Sequence, residues 1–189
     1  MIALAAAATA FAQMPEGLAV GAGYLSSDWK TKAGNYSHTE TYGGFFVGAD
    51  YNISLGEALG IAPGVAVSFL SQKENDVKTS LIDLSIPVMV NYVFPVADIL
   101  KVIPFAGPTV QFGISAKSKY NDTTRNLYHK DNDISRLQLF VGAGCALEIA
   151  EIFRVHVGYD FGLLNRYTGD VDDYKLSNSG LHFGVAYLF

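Results

Sequence analysis

The sequence is short of several things, and each shortage closes off a class of protein. One cysteine, Cys145, rules out an intrachain disulfide framework. Charged residues make up only 16% and sum to −5, which leaves no basic face for nucleic acid. No stretch sustains a helical period. Long hydrophobic runs are also missing, although half the residues are hydrophobic and mean hydropathy is +0.22. A membrane-crossing helix needs about 20 consecutive apolar residues. The nearest approach, over 92–107, is broken by Asp98, Lys101 and two prolines. The apolar surplus is therefore distributed, as strands with one lipid-facing side require.

What is plentiful agrees with this. There are 19 glycines, which let strands crowd together, and 11 tyrosines and 12 phenylalanines, enough for interfacial belts. Residues 1–12 are apolar and alanine-rich, and Ala10-Phe11-Ala12 before Gln13 fits a small-residue cleavage site. No basic residue opens this segment. It reads as a partial signal peptide, with a barrel domain over 13–189.

Alternation dominates the rest of the chain. In the last segment Leu181, Phe183, Val185, Tyr187 and Phe189 share one face, against Gly180, His182, Gly184, Ala186 and Leu188. Before it, Phe153 to Leu163 alternates with Arg154, His156, Gly158, Asp160 and Gly162. Six earlier segments follow the same rule, with apolar faces beginning at Leu18, Phe45, Ile61, Ile82, Pro104 and Leu137. Eight strands is an even count that suits the length. The second face is too rich in glycine and alanine for a solvated surface, so it is read as enclosed and the bulky face as outward.

The connections support the same picture. Those near Gly56 to Gly60, Pro95 to Lys101 and Ala150 to Ile152 are short. Those at Ser26 to Thr39, Gln72 to Thr79, Ser118 to Ile134 and Tyr167 to Ser179 are longer and polar. Short turns at one end and long loops at the other is the layout of an antiparallel up-and-down transmembrane β-barrel. Pro63, Pro87, Pro104 and Pro108 fall inside strands and each removes a ladder donor. Bulges or poor pairing are expected there, above all around Phe105 to Pro108.

On this parity Asp50, Asp83, Glu148 and Asp160 point inward together with Lys117, Arg136, Arg154 and Arg166. Charges inside a narrow barrel are costly unless paired, and eight strands leave room for little beyond side chains. The interior is expected to be a salt-bridged plug, with a narrow ion or small-solute path as the alternative. His156 and His182 face inward on adjacent strands. With no third ligand suggested by spacing, they read as hydrogen-bonding residues rather than a metal site. No catalytic, cofactor-binding or metal-binding residue is expected. Lipid A modification would need a nucleophile–base pair at the lipid-facing rim; Ser177 and Ser179 lie near one rim, but His182 has the wrong parity. Cys145 faces lipid as a small apolar residue, and His38 and His129 sit in loops. Surface contacts are expected from the loop carrying Lys119, Asp122, Arg125, His129, Lys130, Asp131 and Asp133, and from Trp29 with Tyr36.

The run Ile86-Pro87, then Tyr92 and Phe94, then Ile103-Pro104-Phe105-Ala106-Gly107-Pro108 resembles the "porin family" outer-membrane β-barrel domain of Bacteroidota. The architecture is also similar to OmpX and to the membrane domain of OmpA. The terminal Phe183-Gly184-Val185-Ala186-Tyr187-Leu188-Phe189 resembles the signal by which the barrel-assembly machinery recognises its clients, with Phe183, Tyr187 and Phe189 carrying it. The resemblance implies a monomer in the bacterial outer membrane, in contact with its lipid and lipopolysaccharide and with the assembly machinery during biogenesis. No peptidoglycan-binding domain is expected after the last strand. The expected role is structural or surface-interacting.

Overall fold

The computed structural model describes residues 17–34, 36–74, 76–120, 123–128, 134–169 and 174–189. The leader assigned to 1–12 and the loop residues Asp122, His129, Lys130, Asp131 and Asp133 lie outside these. Eight strands form the wall: β1 (Leu18–Ala33), β2 (Tyr36–Tyr51), β3 (Leu59–Glu74), β4 (Val77–Tyr92), β5 (Leu100–Tyr120), β6 (Leu137–Ile149), β7 (Phe153–Gly162) and β8 (Tyr174–Leu188). Each is antiparallel to its sequence neighbour, and β1 pairs with β8, so the sheet closes. Closure leaves no unpaired edge among these strands. No described helix is long and apolar enough to cross a membrane; the strands do the crossing.

The alternation sets the faces as expected. Tyr24, Phe45, Val65, Ile86, Phe112 and Phe183 are exposed on the outside, whereas Ala19, Ala62, Ala146 and Ala186 are buried inside. Cys145 keeps the outward parity, opposite Pro104 and Val157.

Three expectations are corrected. First, most of the polar "loops" are strand. β1 and β2 stay paired from Leu18 opposite Tyr51 up to Ala33 opposite Tyr36. β3 and β4 likewise pair up to Glu74 opposite Val77. Above the lipid band both faces of a strand are polar, so the hydrophobic alternation fades while the backbone ladder continues. Second, Lys117 points outward and is exposed. Ile82 lies opposite Ser115 but Asp83 lies opposite Gly113, so Ile114 is an extra residue, a β-bulge. Beyond it the parity of β5 is reversed. Third, the prolines bring the expected poor pairing but no bulge at Pro63, Pro87, Pro104 or Pro108. The ladder is interrupted between Pro63 and Ala66 on β3 and between Pro87 and Val90 on β4, yet pairing resumes in the same register. The β5–β6 ladder runs through Pro104 and Pro108 unbroken.

The β6–β7 turn places Ala150 and Glu151 at φ 54° and 58°. A two-residue hairpin turn of this kind needs both central residues left-handed, which glycine and asparagine do most cheaply. The Ile152 amide closes it on the Ile149 carbonyl at 3.1 Å.

Candidate functional site in the barrel lumen

The lumen has two halves built from different chemistry. Toward the long hairpins, Trp29, Tyr42, Leu70, Leu81, Ala116, Tyr128 and Leu176 form a buried cluster. These come from β1 to β5, from the segment after β5 and from β8, so the cluster spans the ring. Arg166 closes it. The segment after β7 folds over the mouth: the Arg166 amide donates to the Leu176 carbonyl, and the Arg166 carbonyl accepts from Ser135, both at 2.8 Å. Its side chain is 1% exposed, with the guanidinium 4.2 Å from the Trp29 ring centroid and donating to the Tyr128 hydroxyl at 3.0 Å. Asp83, also buried, neighbours Arg166 and Tyr128. A buried guanidinium survives only with such partners. Arg136 lies at the outer rim of the block, 5.0 Å from the Tyr128 ring.

Toward the short turns the interior is charged and partly open. Arg154 donates to Asp50 at 3.1 Å and to Glu148 at 3.4 Å. Lys101 bridges Glu148 at 3.2 Å and Glu151 at 2.8 Å. The result is a continuous ion-pair chain, Asp50–Arg154–Glu148–Lys101–Glu151. Above it His156 and His182 lie 5.5 Å apart, and each packs between Phe46 and Phe105 at 6.0–6.4 Å. Glycine makes room for these rings. A Cβ at Gly184 would come within 2.7 Å of His156, and one at Gly158 within 2.5 Å of His182. His182 Nε2 is 3.7 Å from Asp160. On the opposite wall Gly48, Ala62, Ala66 and Ser85 are too small to fill the bore, which leaves a chamber of about 350 Å³. Chamber and block lie in series along one lumen.

Of the residues singled out by parity, Asp50, Glu148 and Arg154 are joined directly, His156 and Asp160 line the same chamber, and Asp83 and Arg166 belong to the upper block. Lys117 joins neither. Trp29 is a correction too: it is 7% exposed and sits beneath Arg166, not at the surface beside Tyr36. An indole on the inward parity of a strand packs into the bore, and the loop assignment hid that parity. Lys101 and Phe105 were missed. Both share the parity of Gly107, Thr109 and Gln111, so the signal exists, but in sequence Pro95 to Lys101 reads as a turn. Ser179 keeps the outer parity and accepts from Tyr159 at 2.9 Å, while His182 faces inward. Among the described residues no three His, Cys, Asp or Glu side chains gather in a metal-binding group.

The model of the family described as "outer membrane protein beta-barrel domain" matches residues 1–189. No curated protein matches the chain. Among solved structures it is similar to Neisserial surface protein A, with TM-score 0.52 and 17% identity over 92% of this chain and 97% of that one. It is also similar to the outer membrane enzyme PagL, with TM-score 0.51 and 16% identity over 88% and 97%. The attachment invasion locus protein Ail of Yersinia pestis aligns with TM-score 0.49 and 15% identity over 93% and 100%. At such identities the likeness concerns the fold alone.

Proposed function

The chain belongs to the outer membrane protein β-barrel domain family and resides in the bacterial outer membrane, and from that premise we propose that it is a closed, non-enzymatic barrel whose hairpins meet a partner at the cell surface. The carrying observation is the Arg166 block. Residues from six of the eight strands pack across the bore there, so solute on the turn side meets a packed wall closed by the Arg166–Tyr128 hydrogen bond. The long hairpins support the surface role: β1 and β2 remain paired well above Tyr24 and Phe45, which presents a stiff platform rather than slack loops. In this reading the barrel is a monomer surrounded by outer-membrane lipid and lipopolysaccharide. The assembly machinery engages it through Phe183, Tyr187 and Phe189. The likeness to Bacteroidota "porin family" barrels, OmpX and the OmpA membrane domain belongs to the same reading.

Single-channel recording alongside liposome swelling tests the closed lumen. No conductance steps and no swelling with small sugars are expected; steady conductance overturns it. Shortening the β1–β2 hairpin tests the surface role, and cell adhesion unchanged by the deletion removes its support. The chamber favours one second reading, a narrow ion path entered from the turn side and gated by the interior charge pairs. Conductance that Arg154→Ala or Asp160→Ala alters would move the assignment there.

A further inference from the structure

The outward face of β3, β4 and β5 changes character just above its last apolar row. Phe69 lies opposite Ile82. One level up, Ser71 lies opposite Ser80, and Ser80 opposite Lys117. At the next level Lys73 lies opposite Lys78, and Lys78 opposite Lys119. Three adjacent strands thus carry lysine in one transverse row, with a fourth lysine directly beneath, and all four side chains are exposed. Side chains directly opposite across a ladder stand about 5 Å apart at Cβ, and like charges so placed repel. Among the described residues only Asp76 offers relief, at 3.9 Å from Lys73, in a pair too exposed to count for much.

Height decides what neutralises them. Two residues advance a strand by about 7 Å, or about 5 Å along the membrane normal at a tilt of about 40°. Lys117 therefore stands about 5 Å above the hydrocarbon edge, within the headgroup layer of about 5–7 Å, and the row of Lys73, Lys78 and Lys119 about 10 Å above it, close enough for a long lysine chain to reach back to that layer. Their side chains leave the wall sideways, toward neighbouring lipid. A second basic group, Lys30, Lys32 and Lys175, has Lys32 opposite Lys175. It sits three and four levels above Tyr24, beyond the headgroups, with Asp28 in between.

We propose that Lys73, Lys78, Lys117 and Lys119 form a binding site for the phosphates of an outer-leaflet phosphoglycolipid. The ammonium groups supply point charges to the phosphates, and Ser71 and Ser80 supply hydroxyl donors beside Lys117. The bulge at Ile114 is what turns Lys117 and Lys119 outward, so the site depends on it. The site deepens the lipid-facing part of the reading above, and it stands whether or not the lumen conducts.

The test uses the full barrel reconstituted in phosphatidylcholine vesicles containing either bis-phosphorylated lipid A or the same lipid dephosphorylated, with bound lipid counted by native mass spectrometry. Preference for the phosphorylated form is expected, weakened by added salt. Each lysine near a charged membrane surface accounts for roughly fivefold in affinity, so Lys78→Gln, Lys117→Gln and Lys119→Gln together should reduce binding about a hundredfold. Heat-modifiable migration verifies that the triple variant folds. The matched variant Lys30→Gln, Lys32→Gln, Lys175→Gln should keep the preference. Equal binding of the two lipids overturns the site, as does equal loss in both triple variants. Conductance of the same preparations separates this outcome from failure of the closed-lumen reading.

Discussion

The two halves of the lumen solve one problem in opposite ways. On the hairpin side, bulky side chains such as Trp29, Tyr42, Leu70 and Tyr128 fill the bore and a single cation is tucked among them. On the turn side, the buried apolar residues are mostly alanine, and charges line a cavity that retains room for water. A barrel interior can thus be stabilised by packing or by ion pairing. The first makes each member indispensable, because an orphaned charge there has no solvent to retreat to. The second shares charge along a chain of partners that water can replace.

Arg166→Ala should break this contrast most. It leaves Asp83 and the Tyr128 hydroxyl without their cation and opens a hole over the Trp29 ring. A loss of about 3–5 kcal/mol is expected in denaturant unfolding from detergent. Trp29 is the only tryptophan, so its emission should shift to the red in the folded variant. Unchanged stability and emission would mean the block is not packed as described.

Arg154→Ala is the matching cut on the turn side. It unlinks Asp50 from Glu148, but Lys101 still holds Glu148 and the chamber admits water. A loss of about 1.5–3 kcal/mol is expected, with Trp29 emission unmoved. A larger loss than for Arg166→Ala would reverse the ranking of the two halves.

Glu151→Gln gives the smallest effect. The hydrogen bond from Lys101, followed by its charge, holds the Glu151 carboxyl below the ordinary carboxylate range. A depressed folded-state pKa contributes stability above the unfolded value, and that contribution disappears as pH falls through the folded value. The wild type should therefore lose slightly more melting temperature than the variant between about pH 5 and pH 3. Because Glu151 is well solvated the difference is small: the wild type should lie slightly above the variant at neutral pH, and the two curves should converge at the acid end.

The wall was legible in the sequence because lipid imposes a strict two-residue alternation wherever the strand is immersed. Leu181 to Phe189 and Phe153 to Phe161 show it without interruption. Legibility failed where that pressure stops. Ser26 to Ala33 alternates weakly, and so a strand read as a loop and Trp29 as a surface residue. The block was hidden for another reason: Arg166 meets Trp29 from the far end of the chain, and no local pattern announces such a meeting. The parity of Arg154, Asp50 and Glu148 placed them inside, yet their pairing depends on ring closure and strand stagger, which alternation does not encode. The bulge escaped because one extra residue in β5 leaves no mark in composition.

That extra residue works like a change of reading frame. Each strand interleaves two messages, one addressed to lipid and one to the bore, and the position of a residue in the count decides which address it receives. Inserting one residue exchanges the addresses for everything downstream, while inserting two restores them. In this wall, length changes of two should be tolerated in place, whereas a change of one should survive only where the strand has already left the bilayer. Ile114 lies close to that boundary, and the lysines beyond it carry the altered address.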